Sequence, residues 1–454
     1  MRFIHTGDWH LGRLFFGLHL TEDQSYVLDQ LIEVAREARA QALVIAGDVY
    51  DRAVPPPEAV QLLDEVLSRF ALDVGIPVLM IAGNHDSPER LGFGARLLAA
   101  QGVHVAGLPA TGWASPPTGA GERASGAEAT AGALQPLVVG PTDLVLHDEH
   151  GPVRFLALPY AEPAVVRACL ADEAVRDHET ALQALLRRLG PRLPGERTVL
   201  VAHAFVQGGL ESESERPLSV GGAGAVSASL FGGFHYVALG HLHRPQSVAS
   251  GEGSAASSGD PRGALERGGS RPEAGEGDGR RGSIAAVPSS RVRYAGSLLK
   301  YSFSEAGHGK SVSLVDLDAA GNVLVEEIAL TPRHDLRRVS GDFRDILAGT
   351  TREGPLPRGC TDYLAVALLD RGPVLDALAR LREVYPNVVS IERPGLAPAA
   401  GPTGPRGDHR LKTDLELFAA FFEQTTGEAL RAEERVVFTE IADSLRRAER
   451  EAPV

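Results

Sequence analysis

Five short polar motifs follow apolar, β-branched stretches of this sequence, at the points where predicted strands end. The motifs are Asp8-Trp9-His10, Gly47-Asp48-Val49-Tyr50-Asp51, Gly83-Asn84-His85-Asp86, Ala202-His203-Ala204 and Gly240-His241-Leu242-His243. In open α/β sheets, ligands bind in the crevice at the carboxyl ends of the strands. We therefore expect the five motifs to converge on one site.

Seven side chains in these motifs are potential metal ligands, and none of them is a thiolate. They are two carboxylates, one amide oxygen and four imidazoles, from Asp8, Asp48, Asn84, His10, His203, His241 and His243. Seven mixed donors are too many for one tetrahedral ion. They suit two borderline-hard divalent ions, for which manganese or iron is more natural than structural zinc. Two carboxylates and two such ions leave a formal charge of about +2, which favours an anionic phosphoryl substrate. We expect Asp48 to bridge the ions.

Two of the motifs contain ligand pairs with the same spacing. Asp8 and His10 are two residues apart, as are His241 and His243. Alternate side chains of an extended segment share a face, so each pair is predicted to project to one side while the intervening residue points away. Each pair can then bind metal together.

The overall charge argues against attraction of the whole chain to nucleic acid. The 454 residues include 45 Lys and Arg against 59 Asp and Glu, a net charge of −14. Any contact with a polyanion must therefore be local or made through a partner. The two cysteines, Cys169 and Cys360, are far apart in the sequence. This excludes a disulfide framework and a thiolate zinc site.

The sequence also indicates the compartment. No uninterrupted apolar run approaches the ~18 residues that a membrane helix needs. The first residues reach Asp8 before a secretory signal could form. We expect a soluble, cytoplasmic protein with no membrane contact.

Short β-branched runs alternate with helical patterns through the first hundred residues, which predicts an α/β fold. Strands are predicted at 3–6, 42–46, 78–82 and 103–105, and helices at 21–39, 58–70 and 90–100. This βαβ alternation implies a parallel sheet with helices packed against it. Further strands are predicted at 155–158, 199–202, 236–239, 294–296 and 311–318, so that one sheet-based domain spans residues 1–335.

Two low-complexity stretches interrupt this domain, at about 110–132 and about 250–290. Small and polar residues dominate both, so neither can bury enough apolar surface to offset its ordering entropy. We expect both to be flexible surface insertions.

The pattern changes after the first domain. A predicted strand at 363–369, a helix at 374–384 and a strand at 388–392 form a β-α-β unit within a small α+β domain at 336–394. A linker rich in Pro, Gly and Ala is predicted at 395–412.

Two helices are predicted in the last segment, at 413–450. A capping box formed by Thr413 and Glu416 opens the first helix, and Gly427 separates the two. The helical hairpin could pack on its own domain, or dock on a partner through the aromatic side chains of Phe418 and its neighbours. The sequence leaves both alternatives open.

The order D-x-H, G-D-x-x-D, G-N-H-D, H, G-H-x-H resembles that of the calcineurin-like metallophosphoesterases. Each element alone is weak evidence, but all five occur here in order. Within that family the chain is most similar to the SbcD-type nuclease subunits, and residues 294–303 add to the similarity. The resemblance covers most of the chain outside the insertions and the linker. It implies a metallophosphoesterase sheet-and-helix core with a small α+β capping domain and a C-terminal helical hairpin.

The resemblance also implies roles for the motif residues. One ion would be held by Asp8, His10 and His243, the other by Asn84, His203 and His241, with Asp48 shared between them. His85 would donate a proton and stabilise the transition state, and Asp86 could orient its ring. Asp51 would support the site without binding metal, at a position where archaeal and eukaryotic relatives often carry histidine.

The activity implied by the resemblance is manganese-dependent DNA cleavage. SbcD-type subunits act as 3′ to 5′ exonucleases on duplex ends and as endonucleases on single strands and hairpins, in DNA end processing, recombination and repair. The implied partners are DNA and an SbcC ATPase, in a heterotetramer that contains two nuclease subunits. The chain has no G-x-x-x-x-G-K-[S/T] phosphate loop, so ATP must bind elsewhere. We expect residues 413–450 to contact SbcC and residues 336–394 to shape the DNA groove.

Two alternatives remain at this point. The metal ligands alone fit a small-molecule or nucleotide phosphodiesterase equally well. Such an enzyme needs neither the second domain nor the C-terminal helices, which favours the nuclease. A scaffold without catalysis is less favoured, because all seven ligands and His85 are present.

Overall fold

The computed structural model describes most of the chain. The described residues are 1–107, 143–189, 195–215, 224–248, 291–370, 372, 374–394, 414–426, 429–439 and 441. The insertions predicted at about 110–132 and about 250–290, the linker predicted at 395–412 and the cap at Thr413 lie outside these residues.

Strands are numbered in chain order. They are β1 Arg2–Thr6, β2 Leu14–Phe15, β3 Leu18–His19, β4 Leu43–Ile45, β5 Val78–Ile81, β6 Val103–Ala106, β7 Asp143–Asp148, β8 Gly151–Leu158, β9 Arg197–His203, β10 Phe205–Val206, β11 Ala225–Val226, β12 Tyr236–Gly240, β13 Gln246–Val248, β14 Arg291–Tyr294, β15 Ser311–Leu317, β16 Val323–Ala329, β17 Leu336–Gly341, β18 Thr350–Thr351, β19 Gly354–Pro355, β20 Tyr363–Leu368 and β21 Val388–Glu392.

Helices are numbered in the same way. They are α1 Thr21–Glu37, α2 Pro57–Ser68, α3 Pro88–Leu91, α4 Ala95–Ala99, α5 Pro163–Leu170, α6 His178–Arg188, α7 Phe343–Leu347, α8 Ala377–Arg382 and α9 Asp414–Thr426. A π-helical turn spans Arg69–Val74, and 3-10 turns span Ala228–Phe231 and Phe303–Glu305.

Two six-stranded sheets form the body of the first domain. Their strand orders are β16-β15-β1-β4-β5-β6 and β13-β14-β12-β9-β8-β7. The inner strands run parallel, whereas β15 and β16 in the first sheet and β7 and β13 in the second pair antiparallel. An apolar layer separates the sheets, and within it the rings of Phe3 and Phe155 meet edge to face, 5.2 Å apart.

Helices cover the outer faces of both sheets. Leu28 of α1 and Leu63 of α2 belong to the core of the first sheet, and Val166 of α5 and Leu185 of α6 to that of the second. The predicted α/β class is confirmed, but the expectation of one parallel sheet is wrong. A strand that is buried on both faces has a continuous apolar sequence. That sequence is the same whether helices or a second sheet cover the strand. Periodicity therefore could not reveal the second sheet.

Some element boundaries differ from the predicted ones. The helix predicted at 90–100 is two short helices, because the chain turns at Gly94, which has φ +71°. Glycine adopts this left-handed conformation without the steric cost that other residues incur. Strand β7 was not predicted, since its residues are only half-buried or exposed at the edge of the sheet.

The region after the first domain contains a three-stranded parallel sheet, ordered β17-β20-β21. Strand β20, helix α8 and strand β21 form the predicted β-α-β unit, and Ile346 and Leu381 lie in its core. The Tyr363 hydroxyl donates to Asp23 Oδ2 of the first domain at 2.9 Å. Arg338 Nε donates to the carbonyl oxygen of Phe303 at 3.0 Å. The two units are thus in direct contact.

The last described segment is helical, as predicted. Helix α9 is followed by a second helical stretch at 432–439. The rings of Phe418 and Phe438 stack with centroids 4.2 Å apart, so the two helices contact each other. Across the ranges that the structure describes, no helix combines the length and apolar character needed to cross a membrane.

Candidate metal centre

The five motifs meet at one end of the two facing sheets. Strands β1, β4 and β5 are neighbours in the first sheet, and β9 and β12 are neighbours in the second. Each motif includes the last residue of one of these strands or follows it within two residues. The predicted carboxylate and imidazole ligands are all buried: Asp8, His10, Asp48, His203, His241 and His243. The structure therefore brings together side chains that lie up to 235 positions apart in the sequence.

The first ligand group consists of Asp8, His10 and His243. Their donor atoms all lie within 4.8 Å of one another. The Nε2 atoms of His10 and His243 are 3.0 Å apart. Two ring nitrogens at this separation can face one cation from adjacent directions. This group coincides with one of the two predicted ligand sets.

The second group surrounds the Asn84 amide. Its Oδ1 lies 2.9 Å from His203 Nε2 and 3.2 Å from His241 Nδ1. The backbone carbonyl of Ala46 lies 2.9 Å from His203 Nδ1, which assigns the proton to Nδ1 and leaves Nε2 free for a ligand. The three residues predicted for the second ion are therefore adjacent.

Asp48 lies between the two groups. Its Oδ2 is 3.7 Å from His10 Nε2 and 3.5 Å from His203 Nε2. The donor atoms of Asp8, Asp48 and His203 also lie within 4.8 Å of one another. Asp48 is thus close to a histidine of each group.

The backbone is strained at several of the predicted ligands. Four of them have positive φ angles: Asp8 at 51°, His10 at 46°, Asp48 at 48° and His241 at 111°. Such conformations are costly for residues other than glycine and concentrate at functional sites. Asp8 and His10 do come together, through left-handed backbone conformations, whereas His241 lies beside Asn84 and His243 beside His10, in different groups. The expectation that the two pairs lie in extended segments is wrong, because β1 and β12 end before the pairs begin.

Two motif glycines leave space for the ligands. A Cβ on Gly83 would lie 2.1 Å from Asp48 Oδ1. A Cβ on Gly240 would lie 1.9 Å from the carbonyl oxygen of Ala46, the group that holds the His203 ring. Both glycines are required by close approach, and both belong to the predicted motifs.

Burial changes the proton affinity of the predicted ligands in directions that suit a cation site. Burial raises the pKa of Asp8 well above its ordinary value, and the Asp48 carboxylate raises it further. Burial also lowers the pKa of His10, His203 and His241, so these rings stay neutral. Neutral imidazoles have a lone pair for metal, and a cation would relieve the repulsion between the carboxylates. The donor set therefore fits divalent metal.

His85 stands beside the ligands. Its Nδ1 lies 2.7 Å from the backbone carbonyl oxygen of Asp51, and its Nε2 lies 4.0 Å from Asp48 Oδ2. The carbonyl oxygen can only accept, so the proton resides on Nδ1 when the ring is neutral. This arrangement points Nε2 toward the ligand groups.

Asp86 has a different role from the one expected. Its carboxylate accepts hydrogen bonds from the backbone N–H groups of Gly83, Val49 and Tyr50, at 2.9 to 3.1 Å. Burial raises its pKa to about 7 in spite of these bonds. The prediction that Asp86 orients the His85 ring is therefore corrected: the Asp51 carbonyl holds that ring, and Asp86 joins two motif loops.

The Asp51 side chain lies near the ligands. Its Oδ1 accepts a hydrogen bond from Arg13 at 2.8 Å and is 3.6 Å from His10 Nδ1. The donor atoms of His10, Asp51 and His85 form a third close group. Arg13 thus forms an ion pair at the site.

Two residues outside the five predicted motifs, Gln24 and Tyr301, fix the loop of the first motif. Gln24 donates to the carbonyl oxygens of His10 at 2.7 Å and Trp9 at 3.2 Å. The Tyr301 hydroxyl donates to the Trp9 carbonyl at 2.5 Å. Tyr301 belongs to the 294–303 stretch quoted above, whereas Gln24 had one signal, a polar residue on the buried face of α1.

Comparison with protein-family models decides the family. Residues 1–245, more than half of the chain, match the model described as calcineurin-like phosphoesterase. The chain belongs to the calcineurin-like phosphoesterase family. Its members use divalent metals, and the calcineurin-like phosphoesterase match covers all seven predicted ligands of this chain. The chain is therefore a phosphoester hydrolase.

A second match covers residues 332–426 of this phosphoesterase. The matching model is the SbcD C-terminal model, whose description reads type 5 capsule protein repressor C-terminal domain. Together the two matches support a nuclease subunit of SbcD type.

Two solved structures are similar to this phosphoesterase at low identity. TT1561 of Thermus thermophilus is 11% identical, with a TM-score of 0.33, over 72% of this chain and 98% of that chain. GAP50, the anchor in the inner membrane complex of Plasmodium, is 12% identical, with a TM-score of 0.34, over 89% and 99%. At these TM-scores neither likeness bears on fold or function.

Proposed function

We propose that this chain is a manganese-dependent DNA nuclease that acts with an SbcC ATPase in DNA end processing, recombination and repair. One observation carries the proposal. The same chain combines a buried cluster of phosphoesterase metal ligands with a C-terminal region matched by the SbcD model. The predicted activities are 3′ to 5′ exonuclease action on duplex ends and endonuclease action on single strands and hairpins.

The proposed ligands divide between two ions. Asp8, His10 and His243 hold one ion, Asn84, His203 and His241 hold the other, and Asp48 is shared. When bound, the ions supply Lewis acidity for the attack of water on a phosphodiester. Carboxylate, amide and imidazole donors without thiolate favour manganese over structural zinc.

His85 handles the proton at the leaving group in this proposal. Its Nδ1 is committed to the Asp51 carbonyl, so Nε2 is the atom that can hold a proton near the scissile bond. A protonated Nε2 at this position stabilises the developing charge on the leaving 3′ oxygen and then donates the proton. Asp51 fixes the ring through its backbone and balances Arg13 through its carboxylate.

The partners follow from charge and domain organisation. A net charge of −14 gives the chain little affinity of its own for DNA, so the proposed SbcC partner supplies most of the backbone contacts. We assign residues 1–335 to the nuclease domain, 336–394 to the capping domain beside the DNA, 395–412 to a linker and 413–450 to the SbcC contact. Two copies act within a heterotetramer in the cytoplasm.

The substrate class is tested with one panel. Wild-type protein, alone and with SbcC and ATP, is incubated with an end-labelled duplex, a hairpin, a chromogenic phosphodiester and a chromogenic phosphomonoester, in manganese, magnesium or chelator. The proposal predicts manganese-dependent cleavage of DNA and of the small diester. Cleavage of the small substrates alone, even with SbcC, would instead indicate a small-molecule phosphodiesterase.

A further inference from the structure

A chain of buried polar groups ends at the ring of His243. Ser214 Oγ lies 2.6 Å from His243 Nδ1 and donates a hydrogen bond to Glu305 Oε1. Lys310 Nζ donates to the other carboxylate oxygen, Oε2, at 2.5 Å. Glu305 has no exposed surface, and Lys310 is 5% exposed. None of these three residues belongs to the predicted motifs.

The direction of the hydrogen bonds is determined by the groups themselves. A carboxylate paired with an ammonium group is ionised and can only accept, so the Ser214 hydroxyl must donate its proton to Glu305. The Ser214 oxygen is then left to accept from His243 Nδ1–H. With the proton on Nδ1, the Nε2 of His243 has a lone pair that faces His10. The chain therefore selects one tautomer of the ring.

Lys310 and a further residue, Glu215, hold the backbone of His243. Lys310 Nζ donates to the His243 carbonyl oxygen at 2.8 Å and to Ser297 Oγ at 2.8 Å. The His243 backbone N–H donates to Glu215 Oε1 at 2.8 Å. Ring, carbonyl and amide are thus each bound by a different side chain.

Burying the Glu305–Lys310 ion pair costs hydration energy, which indicates a role at the metal centre rather than in stability alone. A buried ion pair is often no more stabilising than apolar residues of similar volume, because both charges lose their hydration. Here the pair lies directly behind a predicted metal ligand, and its hydrogen bonds lead to that ligand. Partners of this kind orient metal-binding histidines and strengthen metal binding.

We propose that Ser214, Glu305 and Lys310 are positioning residues that set the tautomer and orientation of His243, and so determine metal affinity at the Asp8–His10–His243 group. This inference rests on the metal centre in the proposed function and extends it to residues outside the motifs. It concerns one of the two ligand groups, so the other should retain its affinity.

The first test measures the tautomer in the metal-free full chain. Histidine is labelled with 15N, and the ring resonances of His243 are assigned with the variant His243→Gln. Wild-type protein should show a proton on Nδ1 of His243. Ser214→Ala should lose that preference, and Ser214→Thr, which keeps the hydroxyl, should restore it. An unchanged tautomer in Ser214→Ala contradicts the inference, whether or not the protein cleaves DNA.

The second test measures manganese binding by titration calorimetry. Ser214→Ala should weaken the affinity for one manganese equivalent by roughly 10- to 100-fold and leave the second unchanged. Ser302→Ala is the control, because this serine lies three residues before Glu305 but its hydroxyl bonds Ser304, and the variant should bind manganese like wild type. Wild-type affinity for both equivalents in Ser214→Ala would overturn the inference.

A double variant distinguishes a loss of folding from a loss of His243 positioning. Lys310→Met leaves a buried carboxylate without its partner, so it is tested together with Glu305→Gln in a double variant. In chelator, the double variant should unfold at a temperature near that of wild type. It should bind one of the two manganese equivalents weakly. A failure of wild-type protein to bind manganese would refute the proposed function, while the tautomer test would still decide the inference.

Discussion

The Nε2 atoms of His10 and His243 lie 3.0 Å apart although 233 positions separate the residues in the chain. His10 follows the first strand of one sheet, and His243 follows a strand of the other. A cation between them would link the two sheets at the end where the motifs meet.

Manganese should therefore stabilise the whole first domain. At a free concentration 100 times the dissociation constant, the expected gain is about 2.7 kcal/mol per site. Thermal unfolding of wild-type protein and of His243→Gln, in chelator and in manganese, measures the effect. The increase in unfolding temperature on adding manganese should be smaller in His243→Gln than in wild type. An equal increase in unfolding temperature in both proteins would show that the metal does not bind at His243.

Gly83→Ala should abolish metal-dependent activity. The added Cβ would lie 2.1 Å from Asp48 Oδ1, so the proposed shared carboxylate would have to move. We expect at least a 100-fold loss in cleavage of a chromogenic phosphodiester, since small displacements at a catalytic centre have effects of this size. Gly307→Ala is the matched control, because a Cβ there meets no described atom within 4 Å. Comparable activities of the two variants would contradict the prediction.

The metal-free protein should lose stability in acid through His5. Burial, together with the nearby Arg293 charge, lowers the pKa of this ring to about 3. The folded state then binds fewer protons than the unfolded state below the ordinary value of about 6.5, so stability falls as pH decreases from about 6.5. Between about pH 4 and 6, the free energy of unfolding should fall by about 1.4 kcal/mol for each pH unit.

Urea unfolding of wild type and His5→Gln in chelator isolates this contribution. His5 Nδ1 lies 2.8 Å from the Tyr236 hydroxyl, which glutamine can still reach, and glutamine does not titrate. The difference in unfolding free energy between the two proteins should change with pH below about 6.5 and stay constant above it. His19→Gln, on the exposed strand β3, is the control. A pH-independent difference would show that His5 is not the group responsible.

His85→Asn should separate chemistry from metal binding. His85 is not one of the proposed ligands, so manganese affinity should stay near that of wild type. The rate of phosphodiester cleavage should fall roughly 100- to 10,000-fold, the usual contribution of a general acid or base. Titration calorimetry and single-turnover cleavage measure the two quantities. A large loss of metal affinity would instead make His85 a ligand.

The candidate ligands could be brought together from the sequence because their positions follow from strand ends. Asp8 and Asn84 stand after short apolar runs, and parallel strands bring such positions to one edge. The second sheet was missed, because Phe3 and Phe155 read as core residues whatever covers them. The ring partner of His85 was also missed. That partner is a backbone carbonyl, which carries no residue-type signal.

The Ser214–Glu305–Lys310 network behind His243 could not be predicted from the sequence. Ser214 and Lys310 are 96 positions apart and match no motif spacing. Lys310 is one of three lysines in a chain that otherwise uses arginine, but composition alone could not assign it a role. Burial and hydrogen-bond direction were needed, and both depend on the folded structure.

We propose that the seven predicted ligands bind two ions that act on a phosphodiester in DNA. Asp48→Asn tests it most directly, with Asp316→Asn, which alters an exposed ion pair with Arg2, as the control. Bound manganese and cleavage of an end-labelled duplex are measured on the same samples, with SbcC present. We predict two equivalents and manganese-dependent cleavage for wild type and the control, and loss of cleavage with weakened metal binding for Asp48→Asn. Unchanged cleavage and metal content in Asp48→Asn would contradict the account.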